Sequence, residues 1–475
     1  MSEYKNPQKP LWRITSRERR FILLIGDSII AVFALFVALY FWGQQDQWLH
    51  FSWEFLRDRP PDWFYLLPFM WLLLLIELYD VRRASRISDV VRGVIAAILV
   101  SSVVYLAIFF VSPAPNTLPR RGVAGFIAAA GILTLLWRLL YIKVFTAPVF
   151  LRRVLFIGAG RAGSTLAEIV KGLWPPPFFL VGFIDDDSEK IGRKIKEVPV
   201  LGGSNDLLKI IKRENISDLI FAITGPMKPA LSKAILNSEE QGIEVTTLPV
   251  IYEELLGRVP IRLLQDDWIL RSFLDESHSS GSYEIFKRLI DIIGSMFGLG
   301  LTLLLFPFIA LAILVDDGFP ISYKQTRNGK SGKIFDLYKF RTMMKDAEKD
   351  GVARLAIEND ERVTKVGRFL RKSRLDELPQ FMNVLKGDIS LVGPRAERPQ
   401  LVNEMQKKIP FYRARLFVKP GATGWAQINY SYASNIEETA NKLEYDLYYI
   451  KHRSILLDLT IIMRTMGTIL RFKGQ

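Results

Sequence analysis

The chain alternates between long apolar runs and charged, patterned stretches, and most of the apolar runs lie in its first third. Four such runs precede residue 150, namely 21–42, 64–79, 90–111 and 123–145. A helix needs roughly 20 apolar residues to cross a bilayer, and the second run is the shortest of the four. We predict a four-helix transmembrane region over residues 1–150.

Basic residues flank these runs and predict their orientation. They precede the first run, separate the second from the third and follow the fourth: Lys5, Lys9, Arg13, Arg17, Arg19, Arg20, Arg82, Arg83, Arg86, Arg92, Arg152 and Arg153. Because Lys and Arg stay on the cytoplasmic side, both soluble parts are expected to face the cytoplasm. Arg120 and Arg121, before the fourth run, go against this rule. We expect Asp27, inside the first run, to pair with Arg20 rather than to serve a function.

Residues 151–280 show the alternation of short apolar runs and helical patterns that is typical of a parallel sheet. The first run, Arg153–Ile157, is followed by Gly158-Ala159-Gly160-Arg161-Ala162-Gly163 and a helical pattern. Further strands are predicted at 180–184, 218–223 and 244–249. The order strand, glycine-rich turn and helix predicts a Rossmann-like domain with Gly158, Gly160 and Gly163 as candidate nucleotide-binding residues. Close packing of strand and helix, with nothing bound, explains the glycines equally well.

A fifth apolar stretch, 289–315, is long enough to cross the membrane but is predicted to turn back. Pro307 lies near its middle, where proline breaks a straight helix, and basic residues flank both ends. We therefore predict a re-entrant helix over 286–317, with Ser295 and Thr302 as candidate partners for carbonyl groups freed at the break. The last apolar helix, 456–472, is predicted to lie either along the membrane interface or in the core.

Acidic and basic residues cluster in residues 367–399, which contain Asp376-Glu377. An apolar face of Leu378, Phe381, Met382 and Leu385 predicts a helix, with Pro379 in its first turn and Gly387 at its end. The carboxylate pair would then lie at the helix N-terminus, where backbone N–H groups also attract phosphates. The alternative is an ordinary helix cap beside solvated arginines.

Composition excludes several kinds of chemistry. The 475 residues include no cysteine and three histidines, so thiolate nucleophiles, disulfides and cysteine metal sites are ruled out. The net charge of +14 fits either nucleic acid or an anionic membrane surface. The apolar runs favour the membrane, so we expect a lipid bilayer and no nucleic acid as partner.

Eight motifs in residues 281–475 resemble those of one enzyme family. In chain order they are Lys287-Arg288 with Asp291, Gln325-x-Arg327-x-Gly329, Tyr338-Lys339-Phe340-Arg341-Thr342-Met343, Gly367-Arg368-Phe369-Leu370-Arg371, Leu375-Asp376-Glu377-Leu378-Pro379-Gln380, Asn383-Val384-Leu385-Lys386-Gly387-Asp388, Leu391-Val392-Gly393-Pro394-Arg395 and Pro420-Gly421-x-Thr423-Gly424-Trp425-Ala426-Gln427. The chain resembles the bacterial polyprenyl-phosphate hexose-1-phosphate transferases, the monotopic phosphoglycosyl transferases. The four spans and the Rossmann-like domain resemble the large subclass.

The resemblance implies a small, mainly α catalytic domain over 281–475 and a protein of the bacterial inner membrane that acts in exopolysaccharide synthesis. It implies transfer of a hexose 1-phosphate from a UDP-sugar, with UDP-glucose or UDP-galactose favoured, to undecaprenyl phosphate, with Mg²⁺ and release of UMP. Asp376 would be the nucleophile and a metal ligand, with Glu377 assisting. The implied substrate-binding residues are Lys339, Arg341, Arg371, Gln380, Asn383, Arg395 and Gln427. A homodimer is expected from the large subclass.

The chain departs from the family pattern at two places, and two other functions compete. Ala396 replaces a second proline, and Tyr430-Ser431 replaces a Gly-Arg pair, which puts one phosphate or uridine contact in doubt. A membrane-anchored, NAD-dependent sugar-nucleotide epimerase or dehydratase would use Tyr283-x-x-x-Lys287. A non-catalytic membrane scaffold is the third hypothesis, but it would not need the charged Asp-Glu pair.

Overall fold

The computed structural model describes residues 16–112, 119–145, 151–174, 176–223, 225, 227–263, 281–345, 362–430 and 435–470. The chain forms two compact units, Met1–Leu248 and Pro249–Gln475. Among the residues used in the sequence analysis, Lys5, Lys9, Arg13, Ser431 and the end of the 456–472 run lie outside the described residues.

Helices dominate the start of the first unit. They are α1 Ser16–Gln44, α2 Trp53–Asp58, α3 Leu67–Leu74, α4 Val81–Ala84, α5 Ile87–Val111 and α6 Arg120–Phe145. Three segments, Glu18–Gln44, Ile87–Phe110 and Arg120–Phe145, are long and apolar enough to cross a membrane. The second predicted span is instead an apolar helix over Asp62–Leu74, followed by a 3-10 turn at Ile76–Tyr79. This helix is shorter than the bilayer core requires, so its crossing stays a prediction.

The partner expected for Asp27 was wrong. The Asp27 carboxylate accepts a hydrogen bond from Arg138 at 2.6 Å, and both side chains are fully buried. Arg138 also donates to the carbonyl of Leu78 at 2.8 Å, which ties α1 and α6 to the 3-10 turn after α3. A buried charge requires a partner in an apolar interior, so this pair is structural, as expected for Asp27, although its partner comes from α6 rather than from Arg20.

A six-stranded sheet follows the helices, and its strands confirm the predicted parallel fold. They are β1 Arg153–Ile157, β2 Phe179–Ile184, β3 Lys194–Ile195, β4 Val198–Gly202, β5 Asp218–Phe221 and β6 Glu244–Thr247. Their order is β3-β4-β2-β1-β5-β6, and only the β3–β4 pair is antiparallel. The helices α7 Arg161–Gly172, α8 Leu207–Glu214 and α9 Pro229–Glu240 connect them. Continuous apolar strands such as β1 are typical of a sheet covered on both faces.

The second unit is built mostly from helices. These are α10 Leu248–Leu256, α11 Gly281–Asp317, α12 Lys365–Lys372, α13 Gln380–Lys386, α14 Pro399–Lys408, α15 Trp425–Asn429, α16 Ile436–Lys451 and α17 Ile455–Leu470. Two short sheets accompany them: the antiparallel pair β7 Ser322–Asn328 and β8 Ile334–Phe340, and the parallel pair β9 Ser390–Val392 and β10 Gly421–Thr423. Their shared core includes Val392, Leu447 and Ile450.

Helix α11 continues through Pro307, so the predicted break is absent. Proline removes one backbone donor, which leaves a single carbonyl without its helical partner while the remaining bonds persist. The two expected partners serve other carbonyls: Ser295 donates to Ile292 and Thr302 donates to Gly298. The return of this helix to the same membrane face stays a prediction.

Candidate active site

The Asp-Glu pair lies in a 3-10 turn, Leu375–Glu377, immediately before α13. Arg374, with a left-handed φ of 55°, starts the turn, and Gly387, with φ of 90°, ends α13 as predicted. The predicted apolar face is only partly right, because Met382 is exposed. The face that packs inward carries Leu378 and Val384, together with the polar residues Gln380 and Asn383.

Cations lie closer to the Glu377 carboxylate than to the Asp376 carboxylate. Lys339 Nζ on β8 lies 2.9 Å from a Glu377 oxygen and 3.9 Å from an Asp376 oxygen. Arg374 holds the other Glu377 oxygen at 3.3 Å. Glu377 is therefore anchored by two cations, whereas Asp376 has a looser ionic contact.

The two carboxyl groups consequently differ in acidity. Burial raises the pKa of Asp376 to about 6, although Lys339, Arg371 and Arg395 act in the opposite direction. Burial would also raise the pKa of Glu377, but Lys339, Arg395 and Arg374 outweigh it and hold that pKa well below its usual value. Glu377 therefore stays ionised at neutral pH and can hold Lys339, while Asp376 ionises at a higher pH.

Close backbone packing brings two distant motifs to this pair. Strands β9 and β10 run parallel, and a Cβ added at Gly421 would lie 2.0 Å from the backbone nitrogen of Gly393. Only glycine allows this approach. It places Arg395, just after β9, beside Gly421, and it places α15 with Gln427 just after β10. The motif that contains Arg395 and the motif that contains Gln427 therefore lie side by side.

A small cavity of about 20 Å³ opens between these elements. Besides Gly421 and apolar residues, its lining includes six polar or charged side chains: Arg327, Lys339, Glu377, Gln380, Arg395 and Gln427. Four residues of the predicted substrate-binding set (Lys339, Gln380, Arg395, Gln427) therefore meet at one place. Both polar atoms of the Gln427 amide are buried there and make no hydrogen bond to the residues that the structure describes.

The structure gives the other three predicted substrate-binding residues additional partners. Arg341 donates to the carbonyl groups of Asp317 and Gly318 and so closes the end of α11. Asn383 is fully buried and links α13 to β8, accepting from Tyr338 N–H and donating to the Asp336 carbonyl. Their contact with a substrate stays a prediction.

Arg371 lies close enough for its charge to act on Asp376, and it also donates to the Thr342 hydroxyl at 2.9 Å. This bond fixes a guanidinium on α12 against the end of β8. Arg371 therefore lies near the pair, and its contact with a substrate stays a prediction.

Sequence reasoning missed Arg327 as a site residue. It lines the cavity and donates to the Ala396 carbonyl at 2.9 Å, and burial lowers its pKa to about 10. The signal was present, because Arg327 belongs to the family motif Gln325-x-Arg327-x-Gly329. The bond explains how Ala396 can replace proline, since the contact uses only its backbone carbonyl.

The donor set near Asp376 fits a magnesium ion that arrives with a diphosphate. The described residues contain no group of three or more acidic or histidine side chains that would hold a metal by themselves. Mg²⁺ commonly takes one or two carboxylates and completes its shell with water and substrate phosphates. Asp376 would supply one such carboxylate, and magnesium at this place stays a prediction.

The glycine-rich turn of the first unit is folded mainly for packing. A Cβ at Gly163 would lie 2.1 Å from the carbonyl oxygen of Gly158, so this glycine is required by the close approach of helix and turn. Asp185, at the end of β2, accepts a hydrogen bond from Ala159 N–H at 2.8 Å. In dinucleotide folds the acid at this place contacts a ribose. Here the turn itself uses it, and a nucleotide at Gly158, Gly160 and Gly163 stays a prediction.

The tyrosine and lysine of the epimerase hypothesis belong to a buried network. Tyr283 Oη donates to Asp458 at 3.0 Å, and Lys287 Nζ lies 2.9 Å from the same carboxylate and 3.0 Å from Tyr449 Oη. These contacts join α11, α16 and α17. They give Tyr283-x-x-x-Lys287 a structural explanation.

Comparisons with known protein families match two separate parts of the chain. The family described as bacterial sugar transferase matches residues 282–472, and the family described as CoA-binding domain matches residues 75–246. The first match covers the Asp-Glu pair and every element that lines the cavity. The second covers the glycine-rich turn.

Three characterised relatives show how far the similarity extends. The UDP-glucose:undecaprenyl-phosphate glucose-1-phosphate transferase of Klebsiella pneumoniae is 34% identical over 334 residues, 68% of each chain. The UDP-N-acetylgalactosamine-undecaprenyl-phosphate N-acetylgalactosaminephosphotransferase of Aeromonas hydrophila is 42% identical over 228 residues, 48% of this chain and 52% of the relative. The corresponding glucose-1-phosphate transferase of Escherichia coli is 42% identical over 197 residues, 41% of each chain. The alignments thus span about half of the length of two of these relatives.

Proposed function

The chain belongs to the bacterial sugar transferase family, and we propose that it transfers a hexose 1-phosphate from a UDP-sugar to undecaprenyl phosphate, releasing UMP. The observation that carries the proposal is the Asp376-Glu377 pair, in which Asp376 is buried, Glu377 is partly buried and Lys339 bridges the two carboxylates. Three relatives that are named as undecaprenyl-phosphate sugar phosphotransferases support the same reaction. Their sugars differ, so the donor of this chain is to be found by assay.

In the first step, the ionised carboxylate of Asp376 attacks the β-phosphorus of the UDP-sugar. A bond forms between its oxygen and phosphorus, the bond to the bridging oxygen breaks, and UMP leaves with that electron pair. In the second step, an oxygen of undecaprenyl phosphate attacks the same phosphorus and Asp376 regains its carboxylate. Two steps allow a soluble donor and a lipid acceptor to use one site in turn.

The cations around the pair allow the Asp376 carboxylate to approach the negatively charged diphosphate. A carboxylate and a diphosphate repel each other, and Lys339, Arg371 and Arg395 reduce this repulsion in a buried site, where charges interact strongly. Magnesium, when bound, would neutralise diphosphate charge and stabilise the leaving UMP. Glu377 stays ionised and fixes Lys339, so we assign it a positioning role rather than proton transfer.

Helix α11 supports a site at the membrane surface. Elements of the second unit hold it near both ends of its apolar stretch, since Asp291 accepts from Leu391 N–H at 2.8 Å and Asp316 accepts from Val366 N–H at 2.9 Å. These positions are separated by about 38 Å of straight helix, more than the hydrocarbon core of a bilayer. A crossing helix would put the two ends on opposite sides of the membrane, whereas their partners belong to one folded unit.

The outward face of α11 is apolar along its length, as shown by Phe297, Leu303, Phe308 and Val315, each at least 70% exposed. A helix with one face on the enzyme and the other apolar fits immersion in one leaflet. We therefore propose that α11 lies in one leaflet with both ends on the same membrane face, without the break predicted at Pro307, and that both soluble parts face the cytoplasm of a bacterial cell. The first unit would anchor the protein through its long apolar helices.

The test is UMP release from purified protein with undecaprenyl phosphate, Mg²⁺ and a panel of UDP-glucose, UDP-galactose and UDP-N-acetylgalactosamine. We expect one donor to be preferred and Asp376→Asn to lose about 1,000-fold or more of the rate, because it removes the nucleophile. Asp336→Asn is the matched control, since Asp336 is an exposed residue of β8. Undiminished turnover by Asp376→Asn would rule out the proposed mechanism.

A further inference from the structure

Residues 249–262 are part of the catalytic unit although neither matched family includes them. The matched ranges end at residue 246 and begin again at residue 282. Within the second unit, Val259 and Ile261 are buried in the core shared with Val392 and Leu447. The segment therefore does more than connect two domains.

Helix α10 contacts α16 through a buried acidic residue. Glu253, 4% exposed, lies 3.1 Å from Lys451 Nζ and 2.8 Å from His452 Nε2. The neighbouring Glu254 is exposed. One face of α10 is thus fixed to the end of α16.

The end of α10 holds the first residue of α15. The indole N–H of Trp425 donates to the Gly257 carbonyl at 2.7 Å. Gly257 has a φ of 63°, and a Cβ there would lie 3.1 Å from the Trp425 ring. Glycine is therefore needed both for the backbone conformation and for the close approach.

An aromatic stack joins these two contacts. Trp425 stacks on Tyr448 with ring centroids 5.8 Å apart, and Tyr448 lies 4.5 Å from the His452 ring. The contacts run from Glu253 through His452, Tyr448 and Trp425 to Gly257, so both ends of the path lie in the same segment. Trp425 is held on two sides.

Gln427 depends on this arrangement for its position. It follows Trp425 by two residues in α15, a helix of five residues that is too short to be stable by itself. Both polar atoms of its amide are buried without a hydrogen bond to the described residues, so the backbone of α15 sets where the amide lies. The amide lines the same cavity as Lys339 and Glu377.

We propose that residues 249–262 are a positioning element of the active site, in which Glu253 and Gly257 hold Trp425 and thereby hold Gln427 at the cavity. The role of the segment in fixing α15 does not depend on which reaction the site catalyses. The consequence for donor binding rests on the function proposed above.

Full-length protein carrying Trp425→Phe or Glu253→Gln tests the proposal. Phenylalanine keeps an aromatic ring that can pack on Tyr448, and it removes the indole donor. The matched controls are Trp174→Phe, at a side chain that is 77% exposed, and Glu254→Gln on the same helix. Hydrogen exchange is measured at the amides of Ile428 and Tyr430, which bond within α15. UMP release gives KM for the preferred UDP-sugar.

We expect faster exchange at both amides in the two test variants and in neither control. Loss of one hydrogen bond should raise KM by about three- to tenfold, with kcat within about twofold. In a Gln427→Ala background, Trp425→Phe should raise KM no further, because the effect passes through Gln427.

Unchanged exchange in both test variants would overturn the positioning role. Faster amide exchange in α15 with an unchanged KM would overturn the link to Gln427. The same holds if the KM of the double variant is raised by the product of the two single effects of Trp425→Phe and Gln427→Ala. If wild-type protein releases no UMP from any donor, the proposed function fails, and the exchange measurement still decides whether the segment positions α15.

Discussion

Replacing Lys339 with methionine should shift the pH dependence of the first chemical step. Lys339 Nζ lies 3.9 Å from the Asp376 carboxylate, and its side chain is 18% exposed. At an effective dielectric constant of about 20, a unit charge at this distance contributes about 4 kcal/mol, or about 3 pKa units as an upper limit. Arg371 and Arg395 remain, so we expect the pKa of Asp376 to rise by about one to three units.

The direction of the shift in the pH profile follows from the form of Asp376 that reacts. Asp376 attacks only as a carboxylate, and burial already raises its pKa to about 6. Activity should therefore fall as the pH drops through that value in the wild type, and at a higher pH in Lys339→Met. The assay is single-turnover formation of the phosphosugar enzyme from pH 5 to 9, which separates the midpoint from any loss in donor binding. Lys324→Met, on β7, is the control. A midpoint that stays in place, or moves to lower pH, would refute the ionic role of Lys339.

Two further substitutions test internal packing, one in each unit. Arg138→Leu should lower the unfolding free energy by about 3–5 kcal/mol, because it leaves the buried Asp27 charge without its partner. Adding Asp27→Asn should recover part of this loss, and thermal melts measure both effects. If the single variant melts like the wild type, the pair is not structural. Gly393→Ala should reduce UMP release at least about tenfold, because its Cβ would lie 2.5 Å from the Lys419 carbonyl, whereas Gly300→Ala, with open space around it, should not. Equal rates for the two alanine variants would contradict the close packing of β9 and β10.

The sequence predicts elements well where local pattern decides them. Strand β1 occurs at Arg153–Ile157 as predicted, because a strand covered on both faces is a continuous apolar run. The turn at Gly387 also follows from one residue, since glycine adopts its φ of 90° without strain. The grouping of Lys339, Arg395 and Gln427 beside the Asp-Glu pair came from motif resemblance, and the cavity lining agrees with it.

Long-range partners could not be predicted from the sequence. Asp27 has Arg20 two helical turns away, but it binds Arg138, 111 positions later, because α1 packs against α6. The second predicted span is not one continuous helix: α3 ends at Leu74, and a 3-10 turn follows at Ile76–Tyr79. The hydropathy of the sequence does not show where this helix ends. The role of Gly257 depends on Trp425, 168 positions away, and although Trp425 belongs to a family motif, no local pattern marks Gly257 as its partner.

The most direct test of the proposed mechanism is mass spectrometry of the enzyme after incubation with its UDP-sugar and Mg²⁺, without undecaprenyl phosphate. We predict release of UMP and one hexose phosphate bound to the peptide that contains Asp376, removed on addition of undecaprenyl phosphate and absent from Asp376→Asn. The account would be contradicted if UMP were released only when both substrates are present and no adduct formed, or if the adduct lay on a peptide without Asp376.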